Sequence, residues 1–351
     1  MALPTPPRRR ALLWAVSCVG AVVLLWLASR TVPLWPDVLH LPRPGLLALA
    51  AALHLPYSLL RAVRLRWALP PGVPVSRDLL VGSGLVSFLV ILLLPLRLGE
   101  LSRPLLLARA GVPGLGLPEA IAAIASERLL DGLLVVGMLF LGLGLSTAFS
   151  PEFAALVGSV ERFGLASGVV FAGLMLALGL LAFTPPRHHE RLGGLVRPVL
   201  GARLGEFVFH LAAALRPIFT SARGLFLLAA SLVYWAVTLL QLWLVLRACG
   251  IDLGAGEAAV IVAIVGLSIQ LPGGPAQVGS FQFGAALALQ LFIGPADFAG
   301  PGASFGALMY LLGLLGALLL ALPGLALLGR DRRRRPTDPS PGGPSEPGPI
   351  A

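Results

Sequence analysis

Charge is scarce in this chain. Charged residues make up 12% of its 351 positions, where a soluble domain carries about 25%. Lysine is absent, so the net charge of +10 rests on arginine alone. A basic balance of this size in a soluble protein points to nucleic acid. Here the arginines gather in a few loops between apolar runs, as the positive-inside rule requires, and nucleic-acid binding is not expected. Only two cysteines are present, Cys18 and Cys249. Both sit in or beside apolar segments, so no disulfide framework is implied. The apolar run around Cys18 continues to Ala28, which favours an uncleaved signal-anchor helix over a lipoprotein signal. Ser83, Ser87 and Ser102 form no nucleophile arrangement with a histidine, and there is no Walker-type phosphate loop. An enzyme is not expected. His188, His189 and Glu190 could ligate a metal, but adjacent ligands on a loop are poorly specific, and no metal or other cofactor is assigned.

What is present is hydrocarbon. Hydrophobic residues reach 57%, with a mean hydropathy of +0.91. Several apolar runs approach the roughly 20 residues that cross a bilayer. They are continuous rather than alternating, which excludes a β-barrel. The expected fold is an all-α integral membrane bundle of about six to eight transmembrane helices. Simple spans are read at 11–29, 45–60, 120–145, 165–183, 224–246 and 304–328. Two further apolar stretches are interrupted, at "ILLLPLRLGELSR" (Ile91 to Arg103) and "IQLPGGPAQVGSFQFG" (Ile269 to Gly284). Broken backbone at membrane depth survives only where protein or a wet cavity satisfies its polar groups. Paired breaks in the two halves of a chain point to a transporter's binding site. Between Pro185 and Arg223, the residues Leu200, Leu204, Phe207, Leu211 and Leu215 recur at helical steps and predict an interfacial amphipathic helix. The domain reading is 1–330 for the membrane bundle, with a Pro- and Gly-rich disordered tail at 331–351.

Arginine placement sets the expected orientation. Arg8 to Arg10, the loop with Arg61, Arg64, Arg66 and Arg77, the stretch from Arg187 to Arg223, and the C-terminal arginines all fall on the cytoplasmic side. Both termini are then cytoplasmic. The stretch from Leu79 to Arg109 enters and leaves from the cytoplasm, and that from Ala258 to Phe292 from outside. The result is an inverted repeat with a re-entrant pair in each half.

Candidate site residues cluster at the breaks. Arg97, Glu100 and Arg103 flank the first, with Gly99 marking a tight backbone feature. Two cations and one acid there suit an anionic headgroup, or a local surface ion pair. Glu127, Arg128 and Asp131 follow on the next helix, where Glu127 and Asp131 share a face. They serve either as intramembrane functional groups or as interface caps. The second break contributes Gln270, Gly273, Gly274, Gln277, Gly279, Ser280 and Gln282. Its glycines let N–H groups converge on a ligand, and a helix starting near Ser280 would aim its positive dipole end there. The alternative is a kink that only permits tight packing.

The runs "LLLPLRLGELSRPLLLAR", "ERLLDGLLVVGMLFLGLGL", "LVLRACGIDL" and "PAQVGSFQFGAALALQLF" occur in this order. Together they resemble the transmembrane flippase domain of lysylphosphatidylglycerol synthase, over about Ala11 to Leu328. The resemblance implies a multi-pass protein of a prokaryotic plasma membrane. It would move a lipid, typically an aminoacylated phosphatidylglycerol, between leaflets. It carries function onto Arg97, Gly99, Glu100, Arg103, Glu127, Arg128, Asp131 and the stretch from Pro275 to Gln282. Two departures bear on the ligand. Pro275-Ala276 stands where many relatives have Pro-Gly, and Gln282 lies where some carry a glutamate. Without that acid, recognition of a cationic headgroup is weakened. No soluble synthase domain follows the last span, so the expectation is a stand-alone member with membrane lipids bearing an anionic headgroup as partners, and any lipid-modifying enzyme a separate protein. Oligomeric state is left open. The rival readings are a secondary transporter of a small solute, a non-transport scaffold, and an enzyme of lipid-linked sugars. The last is disfavoured by the missing acid, base and nucleophile set.

Overall fold

The computed structural model describes residues 7–146, 149, 154–184, 220–271 and 273–334, with a few isolated positions between 201 and 216. Ten α-helices and no strand occur among the described residues: α1 (Pro7–Ser29), α2 (Pro44–Val63), α3 (Arg77–Leu93), α4 (Ser102–Ala108), α5 (Leu117–Leu145), α6 (Ala154–Phe183), α7 (Ala222–Ala248), α8 (Ala255–Ser268), α9 (Ser280–Leu289) and α10 (Ala303–Arg334). Six of these segments are long and apolar enough to cross a membrane. They correspond to the six simple spans expected from the sequence. The chain is a polytopic helical membrane protein.

The interrupted stretches behave differently. At 1.5 Å per residue, α3 is about 25 Å long and α8 about 21 Å. Both fall short of the roughly 30 Å hydrocarbon layer. Each ends at its break, and a short helix follows that packs against it: α4 on α3, and α9 on α8. The cap of α3 is explicit, because Ser76 Oγ accepts from Leu79 N–H at 3.0 Å. The same hydroxyl donates to Asp331 near the end of α10.

The core lies around α8. Glu257 to Ile264 are all buried, as expected of a helix apolar on every face and enclosed by others. By contrast α1 and α6 leave most of their apolar side chains exposed, which is the lipid-facing pattern. Small residues set a close crossing between α3 and α10. A Cβ on Gly82 would lie 2.9 Å from the Gly324 carbonyl oxygen. Without a hydrophobic force between helices in lipid, such close backbone contact is what holds them.

Three boundaries differ from the sequence reading. Helix α2 runs past Leu60 and continues as a 3-10 turn over Arg64–Trp67. Arg64, assigned above to a cytoplasmic loop, is fully buried. The reason is electrostatic: Glu127 and Asp131 on α5 hold it inside. Helix α10 runs through Arg334, into the stretch assigned to the tail. The amphipathic helix predicted between Pro185 and Arg223, with its His188-His189-Glu190 cluster, lies outside the described residues apart from a few positions. At the bundle surface, Arg43 donates to both carboxylate oxygens of Asp252, at 2.6 and 3.1 Å. These bonds, with the guanidinium charge, hold the Asp252 carboxyl below its ordinary value and raise that of Arg43.

Candidate functional site

The two breaks share one backbone device. Leu96 and Arg97 take φ of 51° and 57°; Ala276 and Gln277 take 56° and 59°. Positive φ is uncommon outside glycine, and two such residues in succession reverse the chain sharply. Each pair follows a proline and precedes an aliphatic residue and a glycine. Pro95-Leu96-Arg97-Leu98-Gly99 matches Pro275-Ala276-Gln277-Val278-Gly279 position by position. This repeat was readable in the sequence and is a sharper signal than the general excess of Pro and Gly.

The reversals bring the breaks into contact. Arg97 Nη1 donates to Gln270 Oε1 at 2.5 Å and to the Ile269 carbonyl at 3.3 Å. Its Nη2 pairs with Glu100. The other Glu100 oxygen faces Arg128 Nε at 3.8 Å. Arg128 also reaches Asp131, at 3.6 Å. Asp131 accepts a bidentate pair from Arg64, at 2.6 and 2.5 Å, and a bond from Trp235 Nε1 at 3.0 Å. Glu127 is fully buried between Arg64 Nε at 3.1 Å and Arg103 Nη1 at 3.4 Å. Arg103 is further bound to the Ala62 carbonyl at 2.6 Å. The network thus joins α2, both ends of the first break, and α5. Removing one of its fully buried members, such as Arg64 or Glu127, leaves an uncompensated charge, at a cost of about 3–5 kcal/mol.

Arg61 stands apart. Its guanidinium lies 4.3 Å over the Phe88 ring. Among the described residues it forms no ion pair, and its buried Nη1 has no hydrogen-bond partner. A desolvated donor of this kind is costly unless something fills its place.

A cavity of about 340 Å³ opens beside the network. Arg61, Arg97, Glu100, Arg128, Asp131 and Gln277 line its polar side. A second cavity of about 180 Å³ adjoins it and shares Tyr57, Phe88, Tyr234 and Trp235. Beyond those rings its wall is mostly apolar, with Leu92, Val262, Phe281 and Leu314, while Thr238, Gln277 and Tyr310 add a few polar groups. One end of the combined space is therefore charged and the other is mostly hydrocarbon.

A family model for the lysylphosphatidylglycerol synthase transmembrane region matches residues 13–317. The chain belongs to this family. The match takes in both breaks and every residue of the two cavities. Comparison with curated proteins and with solved structures finds no match.

Within this synthase-type transmembrane bundle, the predicted site residues divide. Arg97, Glu100, Arg128, Asp131 and Gln277 line the cavity. Arg103 and Glu127 stand behind it, bound to Arg64 and to backbone. Gly99 is buried where a Cβ would strike the backbone of Ile91 in α3. Gly274, Gly279, Ser280 and Gln282 do not face the ligand space. The expected convergence of N–H groups is absent because those groups are used locally. Gly274 N–H donates to the Val278 carbonyl, and Gly279 N–H to Gln282 Oε1, both at 2.8 Å. Ser280 Oγ donates to the Gln277 carbonyl at 3.1 Å. Gln282 thus takes up the N-cap N–H of Gly279 rather than facing the ligand space. Gly279 also meets α1, where a Cβ would lie 2.6 Å from the Ala21 carbonyl oxygen. Sequence reasoning named Gln270 but missed Arg61, Arg64, Tyr234 and Trp235. Arg61 and Arg64 were hidden by their place among loop arginines, and Tyr234 and Trp235 by their likeness to lipid-belt aromatics. Among the described residues no cluster suited to a metal ion occurs.

Proposed function

We propose that this protein translocates a phosphate-bearing lipid between leaflets, with the headgroup passing through the charged cavity between the two breaks. The observation that carries the reading is the juxtaposition of a charged lobe and an apolar lobe in one space. A soluble solute needs only the first. A lipid needs both, since its headgroup must be solvated while its chains stay in hydrocarbon. Membership of the family supports a lipid-related role. In this reading, Arg61, Arg97 and Arg128 hold phosphate oxygens through charge-assisted bonds. Glu100 orients Arg97 and Arg128 together, so that the polar lobe keeps its shape when empty. Intramembrane charge at a helix break is the expected place for such a pathway.

The arginine distribution supports cytoplasmic termini, with α3–α4 entering from the cytoplasm and α8–α9 from outside, in the plasma membrane of a prokaryotic cell. A separate lipid-modifying enzyme is a fitting partner. The test is headgroup-resolved translocation in proteoliposomes, comparing the native chain, Glu100→Gln and protein-free vesicles. Translocation above the protein-free rate, reduced in Glu100→Gln, supports the reading. Equal rates in all three contradict it and leave a scaffold or a solute transporter.

A further inference from the structure

A third cavity, of about 520 Å³, lies apart from the first two and shares no wall residue with them. Its size falls within the roughly 300–1,000 Å³ of small-molecule sites. It forms where α2 gives way to its 3-10 turn and where α3 and α7 begin. Because α2 and α7 are membrane spans, their ends set this cavity at the level of lipid headgroups. Arg66, Arg77 and Arg223 line it, and no acid does. Among the described residues, none of the three forms an ion pair. Two acids at this end of the bundle are already engaged. Asp78 pairs with Arg334 at 3.4 Å, and Asp331 accepts from Ser76 Oγ. Arg223 is fixed in place, since its Nη2 donates to the carbonyls of Arg66 and Leu69, at 2.5 and 3.0 Å. Much of the remaining wall is aliphatic, with Val63, Leu69, Val73, Val75 and Leu80. Arg66 and Arg77 thus do more than set topology: they face a shared space with an apolar side.

We propose that this cavity is a binding site for an anionic phospholipid of the surrounding leaflet, separate from the translocation pathway. By the arginine distribution, that leaflet is the cytoplasmic one. The guanidiniums hold the lipid phosphate through charge-assisted bonds. The aliphatic wall takes the glycerol backbone and the first methylenes of the chains. Basic pockets between helix ends recognise anionic headgroups in this way. A soluble phosphate ester would use the arginines alone and leave the aliphatic wall unfilled. Phosphatidylcholine, which carries no net charge, gains little from three arginines. The proposal stands on its own residues and holds whether or not the protein moves lipid between leaflets.

The test follows a single cysteine at Val73 of the full chain, in a background without Cys18 and Cys249, held in phosphatidylcholine nanodiscs. Its modification rate by a water-soluble maleimide is measured as phosphatidylglycerol replaces part of the lipid, or as free glycerol 3-phosphate is added. Phosphatidylglycerol should slow modification at least about fivefold, and glycerol 3-phosphate should have little effect. Arg66→Gln combined with Arg77→Gln should cut that protection below about twofold. Both side chains are exposed, so the fold should hold. Val75→Trp, which fills the aliphatic wall without changing charge, should have the same effect. Arg332→Gln combined with Arg333→Gln removes equal charge from the exposed end of α10 and should leave protection intact. Glu100→Gln should leave it intact as well, which reads this site apart from the translocation cavity. Protection that survives loss of Arg66 and Arg77, or that falls equally with Arg332 and Arg333, overturns the proposal. So does equal protection by glycerol 3-phosphate, which would assign the cavity to a soluble phosphate ester.

Discussion

The two breaks have the same backbone and different tasks. Both reverse the chain with a proline, two left-handed residues and a glycine. The first then places charge: Arg97 and Glu100 reach into the cavity and join the α5 network. The second is closed on itself. The N–H groups of Gly273, Gly274 and Gly279 are bonded within the turn, and Gly274 and Gly279 pack on α1, where Ser17 Oγ donates to the Gly273 carbonyl at 2.7 Å. Of this break's polar side chains, Gln270 and Gln277 border the cavity, and neither carries charge. The comparison teaches that a broken helix is a means of turning side chains into the bundle, and that the sequence around it decides whether they carry charge or packing.

The largest effect should come from the network that the first break leans on. Arg64→Met strips Glu127 and Asp131 of their shared cation. A loss of about 3–5 kcal/mol in detergent unfolding is expected. An effect below about 1 kcal/mol would mean that water already compensates those acids. Next comes the second break. Gly279 has φ of +89° against the α1 backbone, so Gly279→Val should cost about 1–3 kcal/mol. It should also loosen α1, read as faster hydrogen exchange around Ala21. Glu100→Gln should then lower translocation severely while shifting stability by no more than about 1 kcal/mol, since its side chain is only part-buried. If Gly279→Val and Glu100→Gln gave the same pattern, the division of tasks between the breaks would be wrong.

The smallest effect lies away from both breaks, at Arg43–Asp252. The Asp252 pKa is lowered in the folded state, chiefly by the hydrogen bond from Arg43. Its contribution is therefore present above the unfolded value of about 3.9 and is lost only as pH falls below it. Asp252→Asn should leave thermal stability between neutral pH and about pH 5 nearly unchanged, and flatten its decline in stronger acid. A marked loss at neutral pH would contradict the exposed geometry.

How much of this was readable beforehand follows physical lines. Six spans were visible because hydropathy over a bilayer thickness is a long, additive signal. The breaks were visible because Pro and Gly interrupt that signal. Arg64 was not, because an arginine at the edge of an apolar run reads as a loop residue until its acids are located on another helix. Gln282 and Ser280 were read as ligand groups, and their side chains are bonded within the turn. A short polar residue beside a helix start serves a cap as readily as a ligand, and only the bond from Gly279 N–H tells them apart. The cavity's apolar lobe was beyond sequence reading, since it is assembled from six helices.

One measurement addresses the headgroup pathway most directly. In a background without Cys18 and Cys249, single cysteines at Gln277 and Gln282 would be challenged in proteoliposomes with a phospholipid carrying a thiol-reactive headgroup. The account predicts labelling at position 277, suppressed by excess phosphatidylglycerol, and little at 282. Equal labelling at both positions, or labelling at 277 that lipid does not suppress, would contradict a headgroup site between the breaks.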